Sequence, residues 1–180
     1  GIYAGDISIS DCTGTNCEYQ INTDGWTSLA GTVRKSDTVT VRQTSSASYS
    51  TPTDLVLDIG GVTDTFRVTT MAVPQYTVTA NAGGNGSGTV ASDVGGIDYT
   101  YPATSTETST ALDHGSAITL TATAGTGSTV GWTGCAATGG TSTAATCTFS
   151  SLDADKTVTA TFTLNTYTLA IIKTGIGTVT

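Results

Sequence analysis

Short runs in which an apolar residue alternates with threonine or another polar residue recur along most of this sequence. Ile118-Thr119-Leu120-Thr121-Ala122, Thr38-Val39-Thr40-Val41-Arg42 and Lys156-Thr157-Val158-Thr159-Ala160-Thr161-Phe162 are clear cases. Successive side chains of a strand point to opposite faces, so a period of two builds one apolar wall and one solvated wall. Of 180 residues, 42 are Thr and 17 are Ser, and only 11% are charged. Two Glu and three Lys cannot furnish the polar faces of a helical bundle or coiled coil. Threonine is the residue an exposed β face favours. The expected fold is all-β.

Turn residues punctuate the runs. Leu55, Leu57 and Ile59 share a face before Gly60-Gly61 turns the chain into Val62, a strong two-residue hairpin signal. Thr23-Asp24-Gly25 and Ser36-Asp37 mark further turns. Met71-Ala72-Val73-Pro74-Gln75 breaks the alternation, and Pro74 cannot donate to a ladder. The reading is two tandem β-sandwich-like domains, 1–73 and 76–163, with 74–75 as linker and a C-terminal β segment. Within the second domain, Asn81 to Gly88 reads as a Gly-rich turn and 102–116, polar and Thr-rich, as a long surface loop. Tyr167-Thr168-Leu169-Ala170 with Gly175-Ile176-Gly177-Thr178-Val179 echoes Tyr76-Thr77-Val78-Thr79 with Gly86-Ser87-Gly88-Thr89-Val90. Residues 164–180 are therefore expected to be the opening hairpin, or a donor strand, of an incomplete third repeat. Gly1 in place of Met reads as processing or as a piece of something longer.

A net charge of −8 repels phosphate backbones and anionic lipid, which disfavours nucleic acid and membrane surfaces as partners. No apolar run reaches the ~18 residues of a membrane span, and no signal-peptide pattern is present. Four Cys allow three pairings, of which the local ones, Cys12 with Cys17 and Cys135 with Cys147, are favoured. A zinc site would want closer spacing and usually a His, and His114 is the only one. Disulfides imply an oxidising compartment, so the expected location is extracellular or at the cell surface.

Residues 115–162 carry Gly115, Ile118-Thr119-Leu120-Thr121-Ala122, Gly131-Trp132-Thr133-Gly134-Cys135, Cys147-Thr148 and Val158-Thr159-Ala160-Thr161-Phe162. With Tyr76 to Val90 as its first hairpin, this order resembles the divergent internalin-B-type B repeat, a bacterial repeat domain, over about 76–163 and again from 167. The resemblance implies a β module of secreted or cell-surface bacterial proteins, often in tandem, serving as stalk or contact unit. Over residues 18–70, Glu18-Tyr19-Gln20-Ile21-Asn22, Ala30-Gly31-Thr32-Val33, Asp37-Thr38-Val39-Thr40-Val41-Arg42 and Ile59 to Phe66 resemble, more loosely, a bacterial immunoglobulin-like surface module. Such modules carry a further strand before Asp6–Ser10, which makes the first domain a candidate for lacking an edge strand.

No catalytic residues are expected. A Ser-His-Asp arrangement would depend on His114, which reads as a turn residue, and the acids sit almost wholly in turns rather than as a glycosidase pair. No cofactor is expected beyond a structural calcium, for which Asp93, Asp98, Asp153 and Asp155 are the candidates. Trp132 reads as core, packing near the Cys135–Cys147 bridge. Trp26, Tyr99 and Tyr101 are candidates for a sugar-stacking platform, and Asn85-Gly86-Ser87 is a weak glycosylation sequon. Tyr167, Leu169, Ile171 and Ile176 are candidate interaction residues, being apolar with no core of their own. The favoured function is a non-catalytic structural module of a bacterial surface protein. The alternatives are a filament subunit joined by strand exchange through 164–180, and a carbohydrate-binding module. The expected partners are other copies of the chain, neighbouring domains, or a cell-surface glycan.

Overall fold

A computed structural model describes residues 4–172 and 174–175. It is all-β and sandwich-like, with no helix among the described residues. The chain divides into two compact units, Gly1–Val73 and Pro74–Thr180.

The first unit contains β1 (Ala4–Cys12), β2 (Thr15–Ile21), β3 (Gly31–Arg34), β4 (Val39–Thr44), β5 (Pro52–Ile59) and β6 (Val62–Thr69). An antiparallel sheet of order β3-β1-β5-β6 faces a sheet of only two strands, β2-β4. The inner residues Ile7, Tyr19 and Val33 are buried, with Ile9, Ile21, Val39, Val41 and Leu57 packed around them. Tyr19 fixes the neighbouring loop: its hydroxyl donates to the Leu29 carbonyl at 2.7 Å, and its backbone bridges Thr27. The hairpin between β5 and β6 closes at Ile59↔Val62. Gly60 and Gly61 both have positive φ, 62° and 84°, as a type I′ turn requires.

The second unit contains β7 (Gln75–Tyr76), β8 (Val78–Gly84), β9 (Gly88–Ser92), β10 (Asp98–Tyr101), β11 (Thr106–Thr108), β12 (Leu112–Asp113), β13 (Ile118–Ala124), β14 (Ser128–Thr133), β15 (Ala137–Thr141), β16 (Ala144–Phe149) and β17 (Lys156–Leu164). A five-stranded sheet, β10-β9-β13-β16-β15, faces a four-stranded one, β11-β8-β17-β14, and β12-β7 form a small ribbon. The predicted alternation is visible in the burial. Ile118, Leu120 and Ala122 of β13 and Val158, Ala160 and Phe162 of β17 enter one core, while Thr119, Thr121, Thr157, Thr159 and Thr161 lie on the outer faces. Trp132 is buried in the same core and donates its indole N–H to the Ala145 carbonyl at 3.1 Å.

Several boundaries differ from expectation. Residues 74–75 are not a free linker: Pro74 accepts from the His114 amide, and Gln75 pairs with Asp113 in the β7-β12 ribbon. Nor is 102–116 wholly loop, because β11 pairs with β8 and β12 with β7. Between them the buried Ser109 hydroxyl accepts the Val78 amide, and its own amide donates to the Val78 carbonyl. Strands of two and three residues are too short to display a period. The expected turn from Asn81 is strand as far as Gly84. The expected hairpin at 164–180 is absent from the described residues: β17 ends at Leu164 and 165–172 carry no strand, while Ile176 and the second arm lie outside the described residues.

Candidate functional site

Three features stand out: a parallel seam in the second unit, the acids and aromatics of both units, and an uncovered groove in the first. The seam joins the first long strand of the unit to the last. β8 and β17 run parallel from Val78↔Lys156 to Gly84↔Phe162, as the two central strands of their sheet. Its start is tied by the Lys156 amide donating to the Thr77 carbonyl and by the Asp155 carboxylate accepting the Thr77 amide at 2.8 Å. Its far end is tied by the Gly86 amide on the Phe162 carbonyl and by the Leu164 amide on Asn85 Oδ1. Gly84 and Gly88 permit this closeness. A Cβ at Gly84 would meet the Phe162 carbonyl oxygen at 2.0 Å, and one at Gly88 would meet the Phe162 ring at 2.2 Å.

Both disulfides are formed as the local pairs, Cys12–Cys17 and Cys135–Cys147, with Cα separations of 6.2 and 5.4 Å. Two closed bridges point to an oxidising environment.

The acids serve the backbone and nearby cations. Asp93 Oδ1 accepts the amides of Val94 and Thr119. Asp155 holds Thr77, Asp153 pairs with Lys156 at 2.7 Å, and the Asp98 amide donates to Glu107. No group of three or more His, Cys, Asp or Glu suited to a metal occurs among the described residues. Asp37 is held below the usual carboxylate range by the Asn22 side-chain amide and then by the Arg34 backbone amide. The hydrogen-bonded Arg67 guanidinium does the same for Asp54, and Lys156 for Asp153.

The sugar-platform candidates are likewise dispersed. Tyr99 is buried, its hydroxyl donating to the Ala80 carbonyl, and burial, then the Glu107 charge, pushes its pKa up to about 12. Tyr101 lies stacked on Phe162, with ring centroids 5.7 Å apart. Trp26 belongs to the first unit and lies under the Arg42 guanidinium, 4.3 Å from its ring centroid; Arg42 also pairs with Glu18. His114 sits edge-on to Tyr76 at 6.0 Å.

The groove lies beside β4. The four-stranded sheet presents Leu55, Leu57, Asp64 and Phe66 on its inner face, since Leu55↔Phe66 and Leu57↔Asp64 are direct partners. Val39 and Val41 face them from β4, and together with Thr65 these residues line an open cavity of about 260 Å³. No third strand lies beyond β4 among the described residues. Among the described residues the edge of β4 is also unpaired. Tyr19 spends its backbone N–H and C=O on Thr27, and Asn22 donates to the Thr38 carbonyl. Antiparallel bonding alternates residue by residue, so Gln20↔Thr40 and Glu18↔Arg42 carry the β2-β4 bonds and the backbone groups of Val39 and Val41 point outward. Gln43 Nε2 fastens one end of β4 across the groove, donating to the carbonyls of Thr53 and Phe66. The groove is not announced by any alternating run in the sequence. Its signal was Phe66, an aromatic in phase with Leu55 on a hairpin with nothing assigned to cover it.

Tyr167, Leu169, Ile171 and Ile172 are 87%, 84%, 69% and 83% exposed. Comparison of the chain with protein-family models, curated proteins and solved structures finds no match in any of the three.

Proposed function

We propose that this chain is a non-catalytic structural module of a bacterial extracellular or cell-surface protein, a stalk- or adhesin-like element that transmits tension. The parallel β8-β17 seam carries the reading. Because the strands run the same way, the chain enters the second unit at one end of the seam and leaves it at the other. Tension applied through the unit's two ends then acts along the strands in opposite directions, loading the whole ladder at once rather than peeling it bond by bond. The disulfides, the acids spent on backbone amides and the resemblance of 76–163 to a surface repeat support the same reading.

Single-molecule pulling through the ends of the second unit tests it. Unfolding releases roughly 300 Å of chain over 78–164 when the bridge is reduced, at about 3.5 Å per residue. With Cys135–Cys147 closed, the 12-residue separation it spans stays locked and the release is shorter by about 40 Å. The expected result is one rupture at higher force than when the same unit is pulled across the β8-β11 pair, which would peel. Equal forces in the two geometries would overturn the proposal.

A further inference from the structure

We infer that the groove beside β4 is the acceptor for a β-strand from a second copy of this chain, and that the strand is the segment 167–172. This inference does not rest on the tension-bearing role; it stands on an unfilled place and an unplaced strand in the same molecule.

The unfilled place has both requirements of strand addition. Outward backbone groups of Val39 and Val41 supply main-chain hydrogen bonds, and the groove lined by Leu57 and Phe66 over the fully buried Leu55 supplies apolar contact for alternate side chains. Two strands facing four leave room for one more beside β4 and over β6. On the rim, Ile59, Val62 and Phe66 are exposed large apolar residues.

The unplaced strand fits that place. Tyr167, Leu169 and Ile171 fall on one side of an extended chain, with Thr168 and Ala170 between them, and the described part of the segment pairs with nothing. Charge decides which part of a second copy approaches. Residues 1–73 carry eight acids and four bases, so two copies of this unit repel each other. Residues 157–180 contain no acid and one base, Lys173, so this end of a second copy is not repelled by the acidic first unit. Asp64 lines the groove, so its wall is acidic where the donated segment carries no acid. A strand donated to the next copy does not return to its own acceptor, so the contact is head-to-tail and propagates.

The test uses the 180-residue chain and its Leu169→Asp/Ile171→Asp variant, which changes only exposed residues and should keep the melting temperature. Light scattering behind size exclusion should show the unaltered chain rising above 18.1 kDa with concentration, and the variant at 18.1 kDa throughout. A synthetic peptide of residues 165–173, added to the variant, should slow hydrogen exchange at the Val39 and Val41 amides at least tenfold. A monomeric unaltered chain would overturn the inference, including one in which those two amides are already protected by its own tail. Association that survives in the variant, or peptide protection appearing elsewhere than at β4, would overturn it as well.

Discussion

Phe162→Ala is expected to lower the melting transition of the second unit by roughly 12–20 °C. The ring is fully buried, stacks on Tyr101 and covers Gly88, so its loss opens a cavity where β17, β9 and β10 meet. Phenylalanine-to-alanine changes in such sites cost about 3–5 kcal/mol, and each kcal/mol moves a domain of this size by about 4 °C. Scanning calorimetry reads the shift. Because β17 is a seam strand, the same variant should rupture at lower force. A change of only a few degrees would mean that the ring is not the keystone of this core.

Removing the Cys135–Cys147 bridge by Cys135→Ala/Cys147→Ala should cost about 2–4 kcal/mol, a fall of several degrees or more. The bridge joins β16, an interior strand, to the residues leading into β15, the sheet's exposed outer strand. Closing a loop of this size limits the unfolded chain and pins that outer strand in the folded one. Amides of β15 should therefore exchange faster in the variant, while those of β13 change little. Unchanged melting would show that the ladder β15-β16 holds by itself.

Much of the architecture could be read before the structure, because each long strand advertises its own period. β13 and β17 place Ile118, Leu120, Ala122, Val158, Ala160 and Phe162 inward as the alternation predicts, and Gly60-Gly61 makes the expected turn. What escaped was set by partners distant in sequence. Nothing local distinguishes a parallel from an antiparallel neighbour for Val78–Gly84, whose partner lies 78 residues on. β11 and β12 exist because β8 and β7 offer edges to pair with, not because Thr106–Thr108 or Leu112–Asp113 carry a pattern. Tyr99 and Tyr101 read as exposed platform candidates, yet backbone carbonyls at Ala80 and Gly84 take their hydroxyls and draw the rings inward. Asp93 and Asp155 tie backbone amides with their carboxylates, a use that the local propensity of Asp favours.

The most direct measurement is the strand direction at the seam. Nuclear Overhauser contacts across β8 and β17 should link Thr79 with Thr157, Asn81 with Thr159 and Gly83 with Thr161, advancing together along both strands. Contacts that advance along one strand while retreating along the other would make the pair antiparallel, bring the chain in and out at the same end, and remove the physical basis for a unit that resists tension in line.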